Sequence, residues 1–195
     1  LETCKTLERQ GFEVSYINVN EDGIIDVEEL RKSIKTNTIL ISVMTANNEV
    51  GTIQPIEEIA KIAHDNNIVF HTDAVQALGN VQIDVEKMKK DMLSLSSHKI
   101  NGPKGVGALY IKSGIEVEKF INGGHQEKDR RAGTENVAGI VGLGKAAEIS
   151  RKNMETHIRN LSKIRDYNIK KVQKEIPDIL INGSMENSLP GNANI

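Results

Sequence analysis

The residues PIEEIAKIAHDNNIVFHTD, at positions 55–73, contain the change of pattern that decides the fold. The first part predicts a helix over 55–66, which Pro55 can open because the first turn of a helix needs no amide donor. The second part, NIVFHTD at 67–73, predicts an apolar strand that ends on the charged side chain of Asp73. A helix followed directly by an apolar strand is typical of an α/β sheet.

The same alternation extends along the chain on both sides of this stretch. Further helices are predicted at 1–10, 26–35 and near 84–90, and further strands at 12–17 (FEVSYI), 38–44 (TILISVM), 91–97 (DMLSLSS) and 105–111 (GVGALYI). Asp26 followed by Glu29 is the pattern of a capping box and places a helix start there. Near-continuous apolar strands between helices predict a three-layer α/β fold, a mostly parallel sheet with helices on both faces.

The pattern changes in the last third of the chain. Residues 136–150 are rich in small side chains, and apolar residues then recur at helical spacing in a long charged helix that ends at Pro177. We therefore expect residues 1–150 to form the sheet domain. Residues 151–195 are expected to be the start of a smaller α+β domain.

The composition is that of an ordinary globular protein. Of 195 residues, 38% are hydrophobic and 27% are charged, and the formal net charge of -2 gives no indication of nucleic-acid binding. No apolar run is long enough to span a membrane, and no signal-peptide pattern opens the chain. A single cysteine, Cys4, excludes an internal disulfide and fits a reducing compartment. We expect a cytoplasmic protein with no membrane or nucleic-acid partner.

One stretch has the ligand spacing of a calcium-binding EF-hand loop, namely Asn18-x-Asn20-x-Asp22-Gly23 followed by Glu29. An EF-hand requires an amphipathic helix on its incoming side, whereas the preceding FEVSYI predicts a strand. We therefore interpret Asp22 and Gly23 as a turn, and the carboxylates that follow them as helix caps.

Polar side chains follow three consecutive predicted strands. In open α/β sheets, ligands gather at the carboxyl ends of parallel strands, so these side chains are candidates for one site. They are Asn47, Asn48, His71, Asp73, Gln76, Ser96, Ser97, His98 and Lys99.

Asp73 has three interpretations. A carboxylate at the end of an apolar strand is costly to bury unless it meets a cation, a metal or several donors. A metal shared with His71 would lack further histidine or cysteine ligands close by in the sequence. The cap of a single helix is the simplest structural interpretation of Asp73 taken alone.

The loop SSHKINGPKG at 96–105 also has three interpretations: a basic surface turn, a phosphate-binding loop, or the site of a lysine that bonds to a cofactor. It is not a Walker P-loop, because glycine follows Lys104. Its hydroxyls, imidazole and lysine could hold a phosphate and an aldehyde. An aspartate opposite a pyridinium nitrogen and a lysine that forms a Schiff base are the two contacts that pyridoxal 5'-phosphate (PLP) needs from a protein.

Four segments, in this order and spacing, resemble the cysteine desulfurases, which are PLP enzymes of the aminotransferase class V group. They are NNEVG (47–51), HTDAVQ (71–76), SSHKINGPKGVGALY (96–110) and GGHQEKDRRAGTEN (123–136), and the resemblance extends to NGSMENSLPGNANI (182–195). The resemblance implies the large domain of a PLP-dependent transferase that converts L-cysteine to L-alanine. It further implies sulfur transfer to an enzyme persulfide, for iron-sulfur cluster or thionucleoside biosynthesis. A selenocysteine lyase, another class V PLP enzyme and a non-catalytic sulfur-transfer scaffold remain alternatives.

The resemblance also implies roles for the residues that would surround the cofactor ring. Lys99 would form the Schiff base and then carry protons, beside His98 as a second catalytic residue. Asp73 would pair with the pyridine nitrogen, and Asn48 and Gln76 would bond the phenolic oxygen of the ring.

Other residues are implied to bind the cofactor's phosphate. Ser96, His98 and the backbone at Ser97 would contact it, and Thr134 would reach the phosphate of the partner subunit's cofactor. The implied assembly is a homodimer that passes sulfur to an acceptor or to an iron-sulfur scaffold protein.

The family's remaining functional residues are expected outside these positions. The resemblance places the catalytic cysteine and the arginine that binds the substrate carboxylate beyond residue 195, so Cys4 is not the nucleophile. It places a phosphate-binding threonine segment and a ring-stacking histidine before Leu1. We expect the chain to be an internal part of a longer protein, with little or no desulfurase activity alone.

Overall fold

The sheet of this protein is mixed, as seen in a computed structural model that describes residues 1–86 and 91–195. The elements are α1 (Glu2–Arg9), α2 (Val27–Ser33), β1 (Leu40–Ser42), α3 (Ile56–Asp65), β2 (Val69–Asp73), β3 (Met92–Ser96), a 3-10 helix (Ser97–Ile100), β4 (Gly107–Ile111), α4 (Gln126–Asp129) and α5 (Val137–Glu175). The sheet order is β1-β2-β3-β4. β1, β2 and β3 are parallel, and β4 is antiparallel to β3, which confirms the mostly parallel sheet.

The core lies where α3 packs against β2. The apolar face of α3, which includes Ile59 and Ile62, joins Ile41 of β1 and Phe70 of β2 in one cluster of buried side chains. Ile59 and Phe70 are both 0% exposed. Pro55 directly precedes this helix with a φ of -75°, so the helix starts where the sequence predicts. The helix and strand at 55–73 thus position the carboxyl end of β2.

The start of α2 confirms one half of the predicted capping box and corrects the other. The Asp26 carboxylate accepts hydrogen bonds from the amides of Glu28 and Glu29 at 2.9 and 3.0 Å. The Glu29 carboxylate binds the backbone and side-chain amides of Asn18, each at 3.1 Å, and not the amide of Asp26. Glu29 therefore closes the preceding loop.

That loop is the stretch with EF-hand spacing, and its oxygens bind backbone amides. The Asn20 side chain accepts from the amides of Asp22 and Ile24 at 3.1 and 2.9 Å. Gly23 has a φ of +75° and donates to the carbonyl of Asn20 at 2.9 Å. The turn predicted at Asp22 and Gly23 is confirmed, and the hydrogen bonds at Asn20 explain its shape.

The strand predicted at 12–17 is wrong. The structure assigns no strand there, and Phe12 and Tyr16 remain 51% and 46% exposed. A strand requires a neighbour with free backbone groups, and none of the described strands pairs with this segment. Within the segment 12–17, only Ile17 packs against the core cluster. The helix predicted near 84–90 falls largely on residues 87–90, which lie outside the described residues.

The long helix α5 begins earlier than the sequence predicts. It runs unbroken for 39 residues from Val137, and the Asn136 side chain caps it by accepting from the amide of Gly139 at 3.1 Å. Its small residues allow close packing: a Cβ on Gly142 would lie 2.5 Å from Pro103. The helix passes residue 150 without a break, and the division into domains 1–150 and 151–195 stays a prediction.

No helix in the described part of the chain combines the length and the apolar character needed to cross a membrane.

Candidate active site

The polar residues predicted to share a site follow strands that end at the same edge of the sheet. Asp73 lies opposite Ser94 in the parallel register of β2 and β3. The Thr45 amide, in the loop after β1, donates to the carbonyl of Asp73 at 2.7 Å, and the Ala74 amide donates to the carbonyl of Ser94 at 3.0 Å. These two hydrogen bonds join the loop after β1 to the end of β2, and the loop after β2 to β3.

Asp73 is half-buried and has one carboxylate oxygen without a partner. Its Oδ1 accepts from the amide of Val75 at 2.9 Å, but residues 75–80 form turns, so the interpretation of Asp73 as a helix cap is wrong. Its Oδ2 accepts no hydrogen bond from the residues that the structure describes. A free oxygen on a half-buried carboxylate is suited to receive an N–H group of a ligand.

His71, which lies two residues before Asp73 on the same face of β2, links three strands. Its Nδ1 is 2.8 Å from Ser42 Oγ on β1, and its Nε2 is 2.8 Å from Ser94 Oγ on β3. Burial lowers the pKa of His71, although the nearby Asp73 carboxylate acts in the opposite direction. Both ring nitrogens are occupied, and no group of three metal-ligating residues occurs within 1–86 and 91–195.

The lysine turn, which we define as the 3-10 helix Ser97–Ile100, follows β3 directly. The side chains of His98 and Lys99 are exposed, and Ser96 Oγ lies 2.7 Å from His98 Nδ1. Lys99 Nζ forms no hydrogen bond or ion pair with any described residue. The turn therefore presents a free primary amine beside a paired hydroxyl and imidazole.

Ser97 anchors this turn from the inside. It is 0% exposed, and its amide donates to the carbonyl of Val106 at 3.0 Å. Its hydroxyl is buried without a partner among the described residues, and a Cβ on Gly102 would lie 2.2 Å from it. The phosphate contact predicted for the Ser97 backbone thus has no free donor in this structure.

Asn48 and Gln76 lie in the loops that follow β1 and β2. Asn48 is exposed, and its Nδ2 donates to Glu49 Oε1 at 2.9 Å. Gln76 is half-buried, and its backbone carbonyl accepts from Asn80 Nδ2 at 3.2 Å. Both side-chain amides can therefore turn toward a ligand at this edge without breaking a buried contact.

Thr134 lies apart from these residues in the chain and forms no hydrogen bond with any of them. It is exposed in the loop before α5. The guanidinium of Arg131 donates to the carbonyls of Ala132 and Gly133, at 3.0 and 3.4 Å, and fixes the backbone that leads to Thr134.

Lys99 also lines a cavity of about 300 Å³ next to α5, together with Asn80, Ser150 and His157. Asp73 and Gln76 do not line this cavity. The cavity therefore lies between the turn of Lys99 and α5 and does not include Asp73.

Sequence reasoning missed two features that shape the site. The hydroxyls of Thr45 and Thr72, 1% and 0% exposed, lie 2.8 Å apart and join β2 to the loop after β1. Asn192 reaches the loop of Asn48 from 144 residues away. Two threonines at strand ends signal a hydroxyl pair only once the register is known, and no local pattern marks Asn192.

Comparisons with known proteins match the whole chain to one family. The family match is to Aminotransferase class-V, over residues 1–195. The cysteine desulfurase IscS of Dictyoglomus turgidum is 50% identical over 194 residues, and that of Methanosarcina thermophila is 54% identical over 195 residues. Both alignments cover 100% of this chain, but 49% and 48% of those proteins. The chain thus spans about half the length of the curated relatives it matches.

Solved structures with a similar fold include two proteins related to this chain in sequence. A NifS-like protein is 40% identical with a TM-score of 0.93, covering 97% of this chain and 52% of its own. SspA in complex with cysteine is 46% identical with a TM-score of 0.73, covering 75% of this chain and 43% of its own. The predicted fold class, a largely parallel sheet with helices on both faces, is confirmed. Because the family match extends from the first residue to the last, the chain belongs to the aminotransferase class V family.

Proposed function

We propose that this chain forms the PLP-binding part of a cysteine desulfurase, which converts L-cysteine to L-alanine and passes the sulfur to an enzyme persulfide. The observation that carries the proposal is the position of two groups at the carboxyl ends of the neighbouring parallel strands β2 and β3. Among the described residues, one oxygen of the half-buried Asp73 carboxylate has no partner, and the primary amine of Lys99 has none either. The names of the 50% and 54% identical relatives, and the cysteine bound to SspA, support the choice of substrate.

The polar side chains at this edge fit the four polar groups of PLP. The free oxygen of Asp73 suits the protonated ring nitrogen, and the amine of Lys99 suits the aldehyde. The side-chain amides of Asn48 and Gln76 suit the phenolic oxygen. Ser96 and His98 suit the phosphate, since a hydroxyl and an imidazole are both ordinary phosphate ligands.

The cofactor, when bound, supplies an electron sink for negative charge that develops on the substrate carbon. Asp73 acts by holding a proton on the ring nitrogen, because a carboxylate stabilises the positive charge opposite it. The neutral imidazole of His71 supports this role, since a cation at that position would compete for the charge of Asp73. The hydrogen bonds between His71 and the hydroxyls of Ser42 and Ser94 also hold the strands on either side of β2.

Lys99 would serve in two ways. Its primary amine would anchor the cofactor through the aldehyde carbon, and Nζ, when it is not bonded to the cofactor, would be a base that can carry a proton. The exposed position of Lys99 on a short turn allows this movement, because no described residue holds the side chain. His98 stays beside it through the 2.7 Å contact to Ser96.

The wider setting of the site is part of the proposal. The free loop position of Thr134 suits a contact with the phosphate of the partner subunit's cofactor, so we propose a homodimer. We also propose a cytoplasmic enzyme that supplies sulfur to an iron-sulfur scaffold or to another acceptor. The name cysteine desulfurase, which the relatives carry, supports the sulfur-supplying role.

The test uses the full-length protein and two lysines of the same loop. PLP added to the wild type is expected to give a visible absorption band that Lys99→Ala abolishes. Lys104→Ala is the matched control, since Lys104 is also exposed and follows the same turn. An unchanged band in Lys99→Ala would refute the assignment. Release of alanine and sulfide from L-cysteine, compared with selenocysteine as substrate, then decides between a desulfurase and a selenocysteine lyase.

A further inference from the structure

Segment 182–194 packs against the loop that carries Asn48. Two asparagines of this segment, Asn192 and Asn194, which we call the asparagine pair, donate to successive carbonyls of that loop. Asn192 Nδ2 donates to the carbonyl of Asn48, and Asn194 Nδ2 to the carbonyl of Glu49, each at 3.2 Å. The partners are 144 and 145 residues apart in sequence.

Backbone contacts fix this segment in place. Thr52 and Ser188 form an antiparallel bridge, and the amide of Ile53 donates to the carbonyl of Asn187 at 2.8 Å. The amide of Leu189 donates to the carbonyl of Gly51 at 2.8 Å. The asparagine pair therefore extends from a strand-like attachment that already determines its register.

Gly51 shows how close this approach is. Its φ is +81°, and a Cβ at that position would lie 2.7 Å from Asn192 Cβ and 2.8 Å from Ser188 Oγ. Any other residue would push the segment away, so glycine is required both for the conformation and for the contact.

The opposite side of the Asn48 loop is closed by Asn47. Its side-chain oxygen accepts from the backbone amides of Glu49 and Val50 at 2.8 and 3.0 Å, and its backbone amide donates to the carbonyl of Thr52 at 3.0 Å. Asn48 thus stands between an internal turn and the asparagine pair, with its backbone held from both sides and its own side chain exposed.

We propose that Asn192 and Asn194 are positioning residues for the cofactor site. By holding the carbonyls of Asn48 and Glu49, they fix the backbone from which the Asn48 amide binds the phenolic oxygen of PLP. The inference rests on the proposed function. It adds that segment 182–194 influences the charge on the cofactor's oxygen through the backbone of Asn48 and Glu49.

If the asparagine pair only stabilised the fold, its loss would lower folding stability and leave the cofactor site unchanged. The loop and the segment are already joined by the Thr52–Ser188 bridge and by two further backbone hydrogen bonds. The Asn48 and Glu49 residues whose carbonyls are bound are exposed, where a hydrogen bond adds little to stability. The asparagine pair therefore affects the geometry of Asn48 more than it affects folding.

The experiment compares Asn192→Asp, Asn192→Ala and Asn194→Ala with Asn187→Ala in the full-length protein. Asp keeps the shape of Asn and loses the donor. Asn187 belongs to the same segment, is exposed, and makes no side-chain hydrogen bond within the described residues, so it is the matched control. For each variant we would measure PLP affinity, the midpoint pH at which the visible band changes, and the stability of the cofactor-free protein.

Loss of the Asn48 contact is expected to lower PLP affinity by about 3- to 10-fold. A hydrogen bond to an anionic oxygen stabilises the anion, so its loss raises the midpoint pH of the band by about 0.3–1 unit. Asn187→Ala is expected to match the wild type in both, and the cofactor-free stability is expected to be similar in all variants.

Two outcomes would overturn the inference, and they differ. If the wild type binds PLP and the Asn192 and Asn194 variants match Asn187→Ala in affinity and in midpoint pH, the positioning role is wrong and the proposed function stands. If the wild type takes up no PLP, the proposed function and the inference are both wrong.

Discussion

Asp73, the last residue of β2, and Asp91, which directly precedes β3, are two carboxylates with opposite hydrogen-bonding states. Asp91 is 4% exposed and fully engaged: its Oδ2 lies 2.9 Å from His64 Nε2 and accepts from the Phe70 amide at 3.0 Å, and its Oδ1 accepts from Lys112 Nζ at 3.3 Å. Asp73 has one oxygen bonded to the Val75 amide and one without a partner in the described chain. A satisfied buried carboxylate indicates a structural role, and an unsatisfied one at a strand end indicates a ligand.

Asp91→Asn is expected to destabilise the protein by about 1–3 kcal/mol, because it removes charge-assisted hydrogen bonds from a buried position. Urea unfolding of the full-length protein would measure this loss. Lys112→Met is the control, since the Lys112 side chain is 53% exposed and its ion pair is expected to contribute no more than about 1 kcal/mol. A larger loss for Lys112→Met than for Asp91→Asn would contradict this interpretation.

The stabilisation by Asp91 is expected to depend on pH in the acid range. Burial alone would raise the pKa of Asp91, but hydrogen bonds from Phe70 and His64 and the pair with Lys112 hold it below its ordinary value. A carboxylate with a lowered folded-state pKa stabilises above its unfolded pKa, about 4, and loses that contribution as pH falls through the folded value. The stability difference between wild type and Asp91→Asn should therefore be constant above about pH 5. It should shrink below about pH 4, whereas a constant difference down to pH 2 would refute the role of charge.

His71 is expected to give a pH dependence in a different window. Burial lowers the pKa of His71, so below about pH 6.5 the unfolded chain binds a proton that the folded chain excludes. The contribution of His71 to stability is complete above its unfolded-state pKa, and it falls as pH decreases from about 6.5 toward the folded-state pKa. His71→Gln cannot take up this proton, so its unfolding free energy should vary less between about pH 5 and 6.5 than that of the wild type. Equal slopes for the two proteins would show that His71 is not the group that titrates.

The glycines of α5 give a pair of substitutions with opposite expected signs. Gly144 has open space where a Cβ would lie, so Gly144→Ala should stabilise the helix by up to about 1 kcal/mol. At Gly142 a Cβ would lie 2.5 Å from Pro103, in the loop after Lys99, so Gly142→Ala should destabilise. Thermal unfolding of both variants measures the two signs, and a stabilised Gly142→Ala would show that α5 does not pack closely on this loop.

Substitutions at Ser96 and Ser97 test two different roles: Ser96 is proposed to contact the cofactor, and Ser97 anchors the turn. Ser96→Ala is expected to weaken PLP binding by about 10-fold and to leave the binding of pyridoxal, which lacks the phosphate, unchanged. Ser97→Ala should alter neither affinity, because the Ser97 hydroxyl is buried without a partner in the described chain. Titration of the visible band gives all four affinities. A loss of PLP affinity in Ser97→Ala, and none in Ser96→Ala, would reverse the assignment.

Local chemistry accounts for the parts of the fold that the sequence predicts well. Asp26 and Pro55 mark helix starts through contacts within a few residues, and the apolar run before Asp73 is long enough to identify β2. The strand predicted at 12–17 failed for the opposite reason. Strand formation depends on a neighbour elsewhere in the chain, and no described strand pairs with that segment.

The candidate site also combines features that local sequence predicts with features that depend on distant residues. Asp73, Ser96 and Lys99 follow directly from where strands end, so their common location at one edge was predictable. The resemblance to a family supplied their chemical roles. The engagement of the Ser97 amide by Val106, and the hold of Asn192 on Asn48, depend on residues distant in sequence and required the structure.

The hydrogen bond between Asn192 and Asn48 also sets a time order for biosynthesis. The two residues are 144 positions apart, and ribosomes add about 5–20 residues per second. Asn192 is therefore translated about 7–30 s after Asn48. During that interval α3, β2 and β3 can fold from contacts close in sequence, whereas the loop of Asn48 has only the internal turn made by Asn47. The nascent chain can thus build its sheet before it completes the loop proposed to contact the cofactor.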